Sequence, residues 1–178
     1  AVAREHGALV VPHHSANVVM GAKWEMGHDP EHERLVEIHS IWGNSERPAA
    51  SGNPFPIRNC QGETDGRHVF DALNMGRRFG ILGSGDIHDG RPGDELHRFL
   101  GGPQHPDLYR QGIVGVWAED LTREAVFDAL WQRRVYATTN NRTILRFRVA
   151  GAPMGSAVAA GRDLPVRIEV SSEVPVAR

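Results

Sequence analysis

The chain has 178 residues, with 20 Lys+Arg against 22 Asp+Glu, one cysteine and ten histidines. A formal net charge of -2 argues against broad electrostatic binding to nucleic acid or to an anionic membrane, and no apolar run approaches the ~20 residues that span a bilayer. Apolar residues at 40% exclude a disordered chain, and the lone Cys60 excludes both an internal disulfide framework and a cysteine-based zinc site.

A single cysteine is compatible with the reducing cytoplasm and does not fix a compartment. In chain order, Ala1 to His6 favours helix, and Gly7 is placed to end it in the left-handed region. Ala8-Leu-Val-Val11 is a short apolar run between Gly7 and Pro12, which predicts a strand buried on both faces. Leu35-Val-Glu-Ile38 predicts a second strand. Residues 43–66 hold Pro, Gly, Asn and Ser in the manner of a long loop. Arg67 to Phe79 carries Val69, Phe70 and Leu73 at helical spacing, and Ile81-Leu-Gly-Ser-Gly85 reads as a strand entering a glycine-rich turn.

A second polar loop is expected over about 89–112, then a strand at Ile113–Trp117. Thr122 is placed to cap a helix running to about Arg133, and Val135–Thr139 reads as a strand again. This alternation predicts an α/β domain with a mostly parallel sheet. Beyond it, Leu145–Val149 and Val166–Val170 alternate with period 2, which predicts the start of an antiparallel β segment. The expected division is a partial barrel domain over 1–143 and a β-rich appendage over 144–178. Both ends read as cut from a longer protein.

All ten histidines lie between His6 and His105, and three clusters follow predicted strands: His13-His14-Ser15, Glu37-Ile-His39-Ser40 and Ser84-Gly-Asp86-Ile-His88. In parallel α/β sheets ligands bind beyond the carboxyl ends of the strands, so these clusters are expected to converge. Imidazole and carboxylate donors suit zinc, manganese or iron. Asp86 and His88, two apart, project to one side of an extended stretch and are expected to chelate jointly. The metal-ligand candidates are therefore His13, His14, Asp86 and His88, with Asp86 and His88 also as catalytic candidates. Glu37 and His39 are site-lining candidates, Glu37 equally readable as a paired buried acid that orients a neighbour. Arg142 can bind an anionic substrate group or form a structural ion pair. His6, His28, His32, His68, His97 and His105 read as solvated. The dinucleotide fingerprint, the P-loop and the G-x-S-x-G elbow are missing.

With these motifs placed, the chain resembles the later part of a PHP (polymerase and histidinol phosphatase) domain. The resemblance rests on Gly7 to His14, Leu35 to Ser40, Gly83 to Gly90 and Leu121 to Thr139, and it is closest to the large carbaryl-hydrolase-like branch. It implies a distorted (β/α)7 barrel holding two or three Mn, Zn or Fe ions and hydrolysing a small phosphoester, ester or amide. His13, with His14 beside it, and the pair Asp86 and His88 match ligand positions of that family. The opening H-x-H motif has no counterpart in this sequence, so the resemblance implies a partial site with weak or no catalysis in isolation. The alternatives are an amidohydrolase-type enzyme, which takes carbonyl substrates, and a catalytically silent domain serving partner binding or regulation.

Overall fold

The computed structural model describes residues 2–88, 90, 108–173 and 175. Asp89, His97, His105 and most of the loop expected over 89–112 lie outside the described residues. Helix α1 (Val2–His6) ends at Gly7, whose φ of 59° is the left-handed conformation that glycine adopts without a Cβ penalty. The apolar run that follows forms no ladder. It runs extended, tied by Val10 N–H to the His32 carbonyl (2.9 Å) and by Glu37 N–H to the Pro12 carbonyl (3.0 Å), and Val10 is exposed. The expected doubly buried strand is thus a surface arm.

Strand β1 (Leu35–Ser40) is buried along nearly its whole length. It pairs antiparallel with the two-residue β2 (Gly43–Asn44) and parallel with β3 (Gly80–Gly83), giving the order β2-β1-β3. Its register with β3 slips between Glu37 and His39, where a bulge re-aims the side chains that follow. Helix α2 (Val69–Asn74) lays Val69 and Ala72 on this sheet, shorter than the apolar spacing over 67–79 suggests. Val36, Val69, Ala72 and Trp24 form the buried core, with Ala22, Ile38, Phe79 and Ile81 packed around them. Trp24 is wedged at its centre: its indole N–H donates to the His68 carbonyl at 3.1 Å, and the Arg77 guanidinium stacks 5.0 Å from the ring centre.

The expectation of a (β/α)7 barrel is overturned. The described residues hold three α-helices of five, six and nine residues, three separate small sheets and one parallel strand pair, with no barrel closure. Strand β4 (Ile113–Val116) and strand β5 (Val135–Thr138) flank helix α3 (Arg123–Trp131), yet they pair antiparallel, Val116 opposite Val135. The physical reason is that α3 returns the chain to the strand end it left, so the helix occupies the loop of a hairpin. A parallel pair requires a crossover that carries the chain back along the whole strand. Thr122 does cap α3, its hydroxyl oxygen accepting from Ala125 N–H at 3.2 Å. The third sheet has the order β7-β6-β8, from β6 (Ile144–Val149), β7 (Ala152–Pro153) and β8 (Val166–Ser171), all antiparallel. No helix among the described residues is long and apolar enough to cross a membrane.

Candidate metal centre

The arm after Pro12 and the turn after β3 meet beside β1. His13 and His14 come from the arm and Asp86 from the turn. One donor atom from each lies within 4.8 Å of the others, the only such group of three among the described residues. His13 Nδ1 is 3.9 Å and His14 Nε2 is 3.8 Å from the same oxygen, Asp86 Oδ2. That oxygen is buried and has no hydrogen-bond partner. Donors around a tetrahedral ion with bonds of ~2.1 Å stand ~3.4 Å apart, so the two carboxylate–imidazole spacings need to close by roughly half an ångström. His13 is half exposed while His14 and Asp86 are largely covered, which leaves the group open to solvent on one side.

His88 takes a different part from the one its spacing suggests. Asp86 and His88 have φ of 51° and 57°, and His14 has 31°, so the D-x-H stretch is a left-handed turn rather than an extended strand. In that turn His88 Nε2 lies 2.8 Å from Asp86 Oδ1 and the ring is well exposed. The contact holds one carboxylate oxygen and leaves Oδ2 facing the two histidines, the arrangement of an outer partner that orients a ligand.

Glu37 lies within β1 rather than at its end, and it is buried. Its Oε1 accepts the His14 backbone N–H at 3.1 Å, and its Oε2 accepts the Ser84 hydroxyl. It therefore joins the arm to the turn behind the candidate ligands. His39 is turned away from the cluster: its Nε2 sits 3.0 Å from the Arg110 carbonyl and its ring packs edge-on to Phe55. Arg142 is exposed, with its backbone N–H donating to Glu173. Close approach completes the arrangement, because a Cβ on Gly112 would stand 2.4 Å from the His39 carbonyl oxygen and 2.8 Å from Ser84 N.

Sequence reasoning missed Trp42, whose ring centre is 6.2 Å from that of His88; its place just past β1 was the available signal. Two histidines expected to be solvated are buried. His32 bonds the Ala8 carbonyl through Nδ1, and His68 lies between Glu63 and Asp71, 3.5 and 3.6 Å from their carboxylates. Distant segments cover both: Ala8 lies 24 residues from His32, and Trp24 lies 44 residues from His68.

Burial pushes the His14 imidazole below its ordinary value, with His13 acting in the same direction, and burial does the same to His39. A neutral imidazole is the ligating form. Below the ordinary value of 6.5 the folded chain binds fewer protons at these rings than the unfolded chain does. Their contribution to stability is therefore complete above that value and lost as pH falls toward the lowered folded values. Urea unfolding should show a midpoint that drops between about pH 7.5 and about pH 5. A His39→Gln variant should lose part of that slope, and an unchanged slope would show that His39 does not carry it.

Residues 102–171 match the family model DUF3604, described as a protein of unknown function. An uncharacterized protein of Chlamydia trachomatis serovar D is 37% identical over 152 residues, 85% of this chain and 23% of the relative. Uncharacterized proteins of Chlamydia pneumoniae and Chlamydia muridarum are 35% and 36% identical, over 88% and 85% of this chain. The chain thus spans about a quarter of the length of these relatives. No solved structure matches it. These findings overturn the resemblance to a PHP domain and its carbaryl-hydrolase-like branch: the matching family and the relatives are other than those, and short His/Asp motifs after strands were shared without the family. Over residues 102–171, from before β4 to the last residue of β8, the chain is similar to the DUF3604 family.

Proposed function

We propose that this chain carries a centre for one divalent ion, zinc or manganese, and that the centre serves hydrolysis of a small phosphoester, ester or amide. The observation that carries the reading is the buried Asp86 Oδ2, without a hydrogen-bond partner and faced by two imidazole nitrogens at 3.8 and 3.9 Å. An orphaned buried carboxylate oxygen is costly unless something compensates it, and an ion bound by it and the two rings would do so. Two histidines and one carboxylate are the donor set of hydrolytic zinc sites, which keep a further position open. A bound ion supplies a more acidic water and polarises the substrate oxygen.

The protein's own groups have separable tasks. His13, His14 and Asp86 are the ligands. His88 fixes the carboxylate's rotation, and Glu37 holds His14 against the turn. The half-exposed His13 marks the side from which substrate enters.

Calorimetric titration of the chelator-treated chain with Zn²⁺ and Mn²⁺ tests the binding half of the proposal. One ion per chain is expected, and no saturable uptake of either metal would remove the centre. Turnover of bis(4-nitrophenyl) phosphate and 4-nitrophenyl acetate tests the other half. Metal-dependent release of nitrophenolate from one of them, stopped by chelator, is expected. Stoichiometric binding without turnover of any ester would instead favour a silent, ion-stabilised binding domain.

A further inference from the structure

The paired strands β6 and β8 sort most of their side chains by face. In the β6–β8 ladder, Leu145 faces Val170, Phe147 faces Ile168 and Val149 faces Val166, so one face carries six apolar residues. The alternate pairs are Ile144 with Ser171, Arg146 with Glu169 and Arg148 with Arg167, so the other face is mainly charged. Such alternation is what a sheet with one buried and one solvated face requires.

Here neither face is buried. The charged face meets the rest of the chain only at one corner, where the Arg146 guanidinium stacks 4.8 Å from the Trp117 ring centre and the Trp117 indole N–H donates to the Leu145 backbone carbonyl at 3.0 Å; Arg146, Arg148 and Arg167 stay exposed. The apolar face looks outward. Ile168 is 60% exposed, Val166 56%, Val170 45% and Phe147 37%, while Leu145 and Val149 are half-buried. Scattered apolar residues on a surface need no explanation, but a contiguous face of them on a regular sheet does.

Area decides what covers it. Two six-residue strands and a two-residue third, at ~4.8 Å spacing and ~3.4 Å rise, make a footprint of roughly 250 Å². A standard stable interface takes about 800 Å² from each partner, so a second copy pressed on this face alone would not hold. A covering element on the same polypeptide avoids the entropy of association and does not need that area. The chlamydial relatives have about three quarters of their length outside the matching region, which is ample chain for such an element. The period-2 apolar face is shaped for another sheet packed ~10 Å away.

We propose that this apolar face is one inner wall of a β-sandwich, completed by a second antiparallel sheet that longer proteins of this kind carry outside the region shared with this chain. The proposal is independent of the metal centre.

Cysteine accessibility tests it. In a Cys60→Ser background, Ile168→Cys probes the apolar face and Arg167→Cys the charged face of the same strand. The aligned positions are substituted in the full-length Chlamydia trachomatis relative, with its native cysteines removed. Thiol labelling at position 168 should be rapid in this chain and at least ~tenfold slower in the long relative. Labelling at 167 should differ much less, which separates a covered face from a sheet that is slow to label throughout. Equal rates at 168 in the two proteins would overturn the proposal. So would sedimentation of this chain as a dimer that Ile168→Lys makes monomeric, because the face would then join two copies. Both positions are exposed in this chain, so the substitutions leave its packing intact, and far-UV circular dichroism of each variant verifies that.

Discussion

Asp86→Asn is expected to lower Zn²⁺ affinity by at least ~100-fold, because loss of even an outer-shell partner costs ~10–100-fold and this change removes the anionic ligand itself. Asparagine is the informative replacement. Asp86 has φ of 51°, a left-handed conformation that asparagine adopts more readily than alanine. The turn after β3 is therefore kept, the shape of the side chain is kept, and the charge goes. His88→Gln should have a smaller effect, within ~10–100-fold, since His88 touches Asp86 Oδ1 rather than the oxygen that faces His13 and His14. Calorimetric titration reads both values. Wild-type affinity in Asp86→Asn would place any bound ion elsewhere, and the same large loss in His88→Gln would make His88 a ligand.

Trp24→Ala should be the most damaging single change to stability, at about 3–5 kcal/mol by urea unfolding. Total stabilities run to only ~5–15 kcal/mol, so much of the folded population is at stake. The indole is 3% exposed among Val36, Val69 and Ala72, and it gives three separate contacts. It fills the core between sheet and helix, donates to the His68 carbonyl and presents its face to Arg77. Trp24→Phe keeps an aromatic face and part of the packing but loses the donor, so it should cost less than Trp24→Ala, about 1–3 kcal/mol. A loss in Trp24→Ala below about 1 kcal/mol would mean that the core closes over the gap, contrary to the usual cavity penalty.

Local signals in the sequence were dependable where the physics is local. Leu35–Ser40 is a strand as its short run of Leu35, Val36 and Ile38 around Glu37 suggests, Gly7 ends α1 at a φ of 59° that costs glycine no Cβ clash, and Thr122 caps α3. The meeting of His13, His14 and Asp86 was legible because all three follow extended segments. Strand direction was not legible. The spacing of β4, α3 and β5 is the same whether α3 is a crossover or a hairpin's loop, and only the partner chosen at Val135 decides. The roles within the site were hidden for a similar reason. The D-x-H spacing promises joint chelation on an extended backbone, but the left-handed turn at Asp86 and His88 sets one ring behind the carboxylate. The burial of His68 depends on Trp24, whose indole reaches its carbonyl from 44 residues away and which no window around residue 68 reveals.

Glu37 gives one carboxylate oxygen to the His14 backbone and the other to the Ser84 hydroxyl. Two segments some seventy residues apart in the chain are thereby clasped by a single side chain. Their fluctuations cannot be independent: release of the arm frees one oxygen for water and loosens the grip on the turn, and the reverse holds equally. The entropy of ordering both segments is thus met once, at folding, rather than when a ligand arrives. Opening of the site is concerted, and amide exchange at His14 and Ser84 should rise and fall together.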